Sequence, residues 1–172
     1  MVYETIKFND LSKEMLEQLR KGAFMTTKVD DKVNTMTIGW GGINVVWYKD
    51  VFVAYVRYSR DTYQMLENGS EFTISVPLNN DLKKELAYCG TVSGRDVDKI
   101  KECNLTLVEP REINTPVIKE CELHYECKVI YKQAMEPGMV PEDVKKRFYG
   151  SHNYHVIYYG EIVDSYLLKG EE

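Results

Sequence analysis

Segments with strand character follow one another along this chain with turns or short helices between them, and that succession restricts the sheet they can build. Parallel strands need crossovers of a dozen residues or more, whereas runs joined by turns pair antiparallel. Residues 23–29 read as a strand, Asp30-Asp31-Lys32 as a turn, and residues 33–40 as the returning arm of a hairpin. Further strands are expected at 5–9, 51–57, 71–76 (closed by Pro77), 105–108, 121–133 and 154–168, the last two long. Gly39, Gly41 and Gly42 break the second hairpin arm, where they permit a bulge or a close approach of backbone to a ligand.

Helices are expected to be short. Residues 11–21 carry an apolar stripe of Leu11, Met15, Leu16 and Leu19, with Asn9 or Asp10 as cap and Gly22 as stop. Residues 61–68 end at Gly69, and residues 81–88 start from Asn80. Ser93 and Asp96 have the spacing of a capping box opening a helix to about Cys103. Residues 134–153 form an excursion with Pro137 and Gly138, in which Pro141 suits the first turn of a helix over 142–149. The reading is mainly β with short helices, an antiparallel barrel or sandwich whose closure hides its edges. With no repeat or linker, residues 1–172 read as a single domain.

Composition narrows the class. Hydrophobic residues make up 44% and charged residues 28%, the balance of a globular chain. Thirteen tyrosines suit strands, and some of them suit a flat aromatic ligand. A net charge of -5 argues against nucleic acid or an anionic membrane as partner, since both need clustered Lys and Arg. Residues 1–10 lack a basic segment followed by an apolar run, and no apolar run reaches membrane-spanning length, so a cytoplasmic location is expected. Cys89, Cys103, Cys121 and Cys127 form no Cys-x-x-Cys pair. On a strand, Cys121 and Cys127 share one face while His124 points to the other, so no metal site is expected and buried free thiols are.

Four segments carry candidate chemistry. In Val56-Arg57-Tyr58-Ser59-Arg60-Asp61-Thr62 a strand ends and a helix starts. The unpaired N–H groups of a helix start, the Ser59 and Thr62 hydroxyls and the Arg57 and Arg60 guanidinium groups together suit a phosphate. A plain Ser59 cap with two solvated arginines fits the same residues, and Asp61 would repel an anion unless it points away. In Asn34-Thr35-Met36-Thr37-Ile38-Gly39-Trp40 the alternation puts Thr35, Thr37 and Gly39 on one face, open either to a flat ring or to ordinary half-buried packing. Cys89 to Lys99 holds a loop with Gly90, Ser93 and Gly94 ahead of a helix. Arg95 or Lys99 there would stabilise negative charge on a ligand edge, and a capped surface helix is the bland alternative. His155 opens a long strand, placed for a cofactor or donor substrate or for a structural role.

Taken in order, these segments resemble the flavin reductase family with the FMN-binding split-barrel fold, in particular its flavoredoxin-like members. The resemblance rests on Asn34 to Trp40, Val56 to Tyr63, Cys89 to Lys99, and Tyr154 to Ile162 with its Gly160-Glu161-Ile162. It implies an antiparallel split β-barrel holding FMN. Arg57, Ser59, Arg60 and Thr62 would hold the phosphate, and Thr35, Met36, Thr37 and Ile38 would line the isoalloxazine. Ser93, Gly94, Arg95 and Lys99 would close over the flavin or its ribityl chain. His155 would sit near the ring face where a nicotinamide stacks. The resemblance also implies a homodimer with the flavin near the interface. One departure is Trp47-Tyr48-Lys49-Asp50, which lacks the proline-rich turn of many members. No Gly-x-Gly-x-x-Gly motif is present, and the family resemblance implies none.

Three functions follow from this reading. The first is an oxidoreductase that transfers a hydride from NADH or NADPH to flavin and electrons onward. The second is a carrier with permanently bound FMN. The third is a structural or sensing module that has lost flavin, against which the intact Arg57, Ser59 and Thr62 stand.

Overall fold

The computed structural model describes residues 2–169. Its centre is one antiparallel sheet of eight strands. Strands β2 (Ala23–Val29) and β3 (Lys32–Ile38) form the expected hairpin, with Asp30 in the left-handed region at φ 51°. β4 (Gly41–Val46) and β5 (Lys49–Arg57) form a second hairpin, and β6 (Glu71–Val76) follows. β9 (Leu123–Ala134) and β10 (His155–Lys169) are the two long strands. The order is β3-β2-β6-β9-β10-β5-β4, with β1 (Val2–Thr5) added on the far half of β10. β7 (Leu107–Val108) and β8 (Val117–Ile118) make a separate two-stranded sheet. β3 ends the ladder, and the sheet curls until β3 and β5 come within 8 Å at their Cα atoms. The barrel is therefore split between these two strands, and the outer edge of β3 is unpaired.

Five helices decorate it: α1 (Ser12–Leu19), α2 (Asp61–Asn68), α3 (Lys83–Thr91), α4 (Lys99–Glu102) and α5 (Glu142–Phe148). α1 buries Met15 and Leu19 against Phe52, Phe72, Ile74, Tyr125 and Tyr158, all fully buried inside the barrel. Burying such a side chain stabilises by about 1.5–3 kcal/mol. A second cluster of Phe24, Leu86, Cys89, Leu105, Ile118 and Cys121 seats α3 on the outer face of β2.

Several expectations are corrected. The first strand lies at Val2–Thr5, because pairing with Tyr166–Lys169 of β10 fixes it there. Asn80 does not cap α3; its side chain donates to the Glu120 carbonyl, and the helix starts two residues later than expected. The capping box at Ser93 and Asp96 is not made. The Ser93 hydroxyl accepts from Arg95 N, residues 94–96 form a turn, and Asp98 caps the one-turn α4 by accepting from Lys101 N. The glycines after Ile38 start a strand rather than end one. Gly41 sits at φ +146° with the Val53 carbonyl 2.5 Å from where a Cβ would lie, a position only glycine occupies. His124 is fully buried, with Nδ1 3.1 Å from Ser75 Oγ and Nε2 2.9 Å from the Cys121 carbonyl. No helix of the described residues is long and apolar enough to cross a membrane.

Candidate functional site

The first and third sequence segments meet at the split. Arg60 precedes α2 in an extended conformation and caps it without a side-chain bond. The N–H groups of Asp61 and Thr62 therefore have no acceptor within the helix. Ser59 is not the cap: its N–H donates to Asn153 Oδ1 at 3.3 Å and its hydroxyl accepts from Asn153 Nδ2 at 2.6 Å. Across from these residues, Thr91 to Gly94 and Lys99 close a cleft of about 180 Å³ that also reaches Met36. A second cleft of about 210 Å³ adjoins it at Met36 and Arg60 and runs along Thr37 to Trp40 towards Tyr55, Arg57, Gly90 and His155. Of the residues singled out in the sequence, Met36, Ser59, Arg60, Thr62, Ser93, Gly94 and Lys99 line the first cleft. Met36, Thr37, Ile38, Arg57, Arg60 and His155 line the second.

Two cations stand close together in the first cleft. Lys99 is buried, and its Nζ donates to the Thr35 carbonyl at 2.8 Å and the Cys89 carbonyl at 3.3 Å. Arg60 Nη2 donates to the same Cys89 carbonyl at 3.2 Å. Two cations thus converge on one neutral oxygen. Burial and the Arg60 charge pull the Lys99 ammonium down to about 8. Burial and neighbouring Arg57 likewise lower Arg60. Asp61 lines the same cleft, its carboxylate held 2.9 Å from Lys32 Nζ, and its charge partly offsets the lowering of Lys99. The Lys32 ion pair answers part of the objection it raised in the sequence. An anion between Arg60 and Lys99 would relieve both.

Thr35 and Thr37 contribute differently from the sequence expectation. The Thr35 hydroxyl is buried and donates to the Met25 carbonyl at 3.3 Å, and the Thr37 hydroxyl donates to the Leu86 carbonyl at 2.6 Å. What β3 offers the split is its free backbone edge. The Thr35 carbonyl faces that edge, where Lys99 reaches it, and ladder alternation puts the Thr37 N–H and C=O on the same side. A planar heterocycle with alternating N–H and C=O groups has its counterpart there.

Arg57 and His155 belong to the second cleft and to the excursion over 134–153. Arg57 donates to the carbonyls of Asn153 at 2.6 Å and Phe148 at 3.1 Å, and lies 5.1 Å from the centre of the Tyr149 ring. His155 Nδ1 is 2.8 Å from the Tyr149 hydroxyl, and the Trp40 ring is 4.9 Å from the imidazole. Burial, helped by the Arg57 charge, pushes His155 down to about 4, so the imidazole is neutral. Arg95 stands at the rim, its guanidinium donating to the Ser59 carbonyl at 2.8 Å.

Tyr55, Tyr149 and Asn153 complete the site without having been singled out in the sequence, whereas Asn34 and Gly90 belong to segments that were. Asn34 Nδ2 donates to Thr62 Oγ1 at 3.1 Å, tying β3 to α2. Tyr149 and Asn153 arrive from far along the chain on a segment with no motif of its own, so only the folded arrangement reveals them.

Comparisons with known proteins accord with this geometry. The family model for the flavin reductase like domain matches residues 20–172. An uncharacterised protein of Archaeoglobus fulgidus is 32% identical over 100 residues, 58% of this chain and 55% of the relative. The chain thus spans about half the length of the curated relatives it matches. Among solved structures, a flavoredoxin from Methanosarcina acetivorans is 26% identical at a TM-score of 0.63, covering 88% of this chain and 68% of that one. An FMN-binding domain of flavin reductases-like enzyme from Shewanella baltica superposes at a TM-score of 0.68 with 15% identity, over 97% and 78% of the two chains.

Proposed function

Because the chain belongs to the flavin reductase-like family, we propose that it is an FMN-binding oxidoreductase that takes reducing equivalents from NADH or NADPH. The observation that carries this reading is the pair of cations, half-buried Arg60 and buried Lys99, sharing the Cys89 carbonyl beside the unpaired edge of β3. When bound, FMN supplies the redox chemistry, accepting hydride and passing electrons onward.

The residues fit that group. The N–H groups of Asp61 and Thr62, the Ser59 and Thr62 hydroxyls and Arg60 would hold the phosphate. Lys99 and the β3 edge would meet the polar rim of the ring. Arg57 would act chiefly as a wall, since its guanidinium already clamps the 134–153 excursion through two carbonyls. Tyr149 would orient His155. If its hydroxyl donates to Nδ1 across the 2.8 Å contact, the neutral imidazole would carry its proton on Nε2 and offer a donor to the second cleft. Trp40 and Phe148, packed edge to face at 5.3 Å and both partly exposed, support a homodimer contact at the cleft mouth, near the flavin. A cytoplasmic location is part of the same proposal.

A flavoredoxin-like carrier is the second reading. It is favoured by the packing of Tyr149 on Arg57, His155 and Tyr154, which would narrow the room for a nicotinamide beside the second cleft.

The test is the visible spectrum of the purified protein followed by anaerobic addition of NADH or NADPH. Absorbance near 450 nm, released as FMN on denaturation and bleached rapidly by either nucleotide, is expected of the reductase (wavelength roughly that of oxidised flavins generally). A yellow protein bleached only by dithionite would make it a carrier. A colourless protein that takes up no added FMN would refute both.

A further inference from the structure

Two thiols stand against each other behind the loop that closes the first cleft. Cys89 lies in the last turn of α3 and Cys103 caps α4, and their sulfurs are 3.9 Å apart. Cys89 is fully buried and Cys103 half-buried. The residues between them include Ser93, Gly94, Arg95 and Lys99. The main chain of Cys89 also supplies the carbonyl on which Arg60 and Lys99 converge. The side chain of Cys89 thus faces its fellow thiol while its carbonyl holds the cations of the site. A disulfide requires the sulfurs to close the remaining distance of roughly 2 Å, which rotation of the half-buried Cys103 side chain and a small shift of the one-turn α4 would supply. Cys121 and Cys127 make no sulfur contact among the described residues.

We propose that Cys89 and Cys103 form a redox-active dithiol that a hydroperoxide oxidises to a disulfide, closing residues 89–103 into a covalent ring over the FMN site. The bond itself is independent of the FMN reading; its consequence for the cofactor rests on that reading. Cys103, the more accessible sulfur, attacks one peroxide oxygen. The O–O bond breaks, a sulfenic acid forms on Cys103, and the departing oxygen leaves as water with the thiol proton. Cys89 sulfur then attacks Cys103 sulfur. The S–S bond forms, the S–O bond breaks, and a second water leaves with the Cys89 proton. The two sulfurs lose two electrons in total, and one hydrogen peroxide becomes two waters. A dithiol reductant reverses the step. Burial holds both thiols above their usual range, with Glu85 and Glu102 adding to it and Lys99 opposing it, so the oxidation is slow and suits sustained peroxide.

The experiment uses the FMN-loaded protein, reduced with dithiothreitol, desalted and exposed to hydrogen peroxide. Trypsin cuts after Arg95, Lys99 and Lys101, so the two cysteines fall in separate peptides joined only by the disulfide. The expected result is a linked pair of peptides 85–95 and 102–111 that dithiothreitol separates. FMN release from the oxidised protein should be about tenfold slower than from the reduced one, because the ring restrains the loop in its binding form. Cys103→Ser, with Cys103→Ala as a second variant, should lose both effects and still bind FMN when reduced. Both thiols remaining free to alkylate after peroxide, or over-oxidation of Cys103 without a linked pair, would overturn the dithiol. A linked pair with unaltered FMN release would overturn its coupling to the site. A linked pair in a protein that takes up no FMN would uphold the dithiol and refute the cofactor reading.

Discussion

Lys99 concentrates the physics of the site in one side chain. Its ammonium is buried beside Arg60 with only two carbonyl partners, so the protein without an anion holds it near 8. Bound FMN would add negative charge or carbonyl acceptors and raise that value. The group then favours the complex in its protonated form. The contribution is fully present below pH 8 and is lost as pH rises through 8 towards the higher value in the complex. FMN affinity should therefore fall by up to about tenfold per pH unit above 8, the slope of one coupled proton. Fluorescence titrations from pH 7 to 9.5 would measure it. Lys99→Gln should weaken binding at neutral pH by about 1.5–3 kcal/mol, the usual value of a hydrogen bond to a charged group, and flatten the pH profile. A slope that persists in Lys99→Gln would assign the proton to another group.

The elements around the site are held by close approach as much as by hydrogen bonds. Gly94 lies so near β3 and α2 that a Cβ there would stand 2.1 Å from Asn34 Oδ1 and 2.9 Å from Asp61 Oδ2. Asn34 is buried and bonded to Thr62, so it has little freedom to retreat. Gly94→Ala should push the 91–98 turn outward, costing about 1–3 kcal/mol of stability as overpacking does and weakening FMN at least tenfold, readable by thermal melts and titration. The motif containing Gly94 was legible in the sequence, and so were β2, α2 and β6, whose bounds coincide with their expected ones. Each has a stop that marks its end: the Asp30-Asp31-Lys32 turn after Val29, Gly69 after Asn68, Pro77 after Val76. The β4–β5 hairpin was not legible, because its turn is Trp47-Tyr48 with φ of 55° and 59°, a conformation whose usual signal is Asn-Gly. Trp47 is held there by packing on Tyr131, at 5.9 Å between ring centres, a contact no local window contains. For the same reason the sequence offered Arg57 as a phosphate ligand, while the carbonyls that engage it come from residues more than ninety positions away.

At the scale of the molecule, the barrel buries two imidazoles that can stay neutral only while the fold is intact. His124 lies inside between Ser75 and the Cys121 carbonyl, and burial pushes it down to about 4 even though that carbonyl partly offsets the effect. His155 at the split is lowered similarly, by burial and then by Arg57. In the unfolded chain a histidine titrates near 6.5. Between about pH 6.5 and 4 the unfolded chain therefore binds protons that the fold refuses, and stability drops as pH falls through that window. For His124 the loss from pH 7 to 5 is about 2 kcal/mol. Asp164 acts in the opposite sense at lower pH, since burial raises its carboxyl despite Arg111 at 3.3 Å, and the fold takes up that proton more readily than the unfolded chain. Urea unfolding at pH 7 and at pH 5 measures the sum. His124→Gln should be less stable at pH 7 and lose most of the His124 share of the pH slope, and His155→Gln should lose the share that belongs to the split. An unchanged slope in both variants would mean that neither imidazole is the group the fold keeps from protonating.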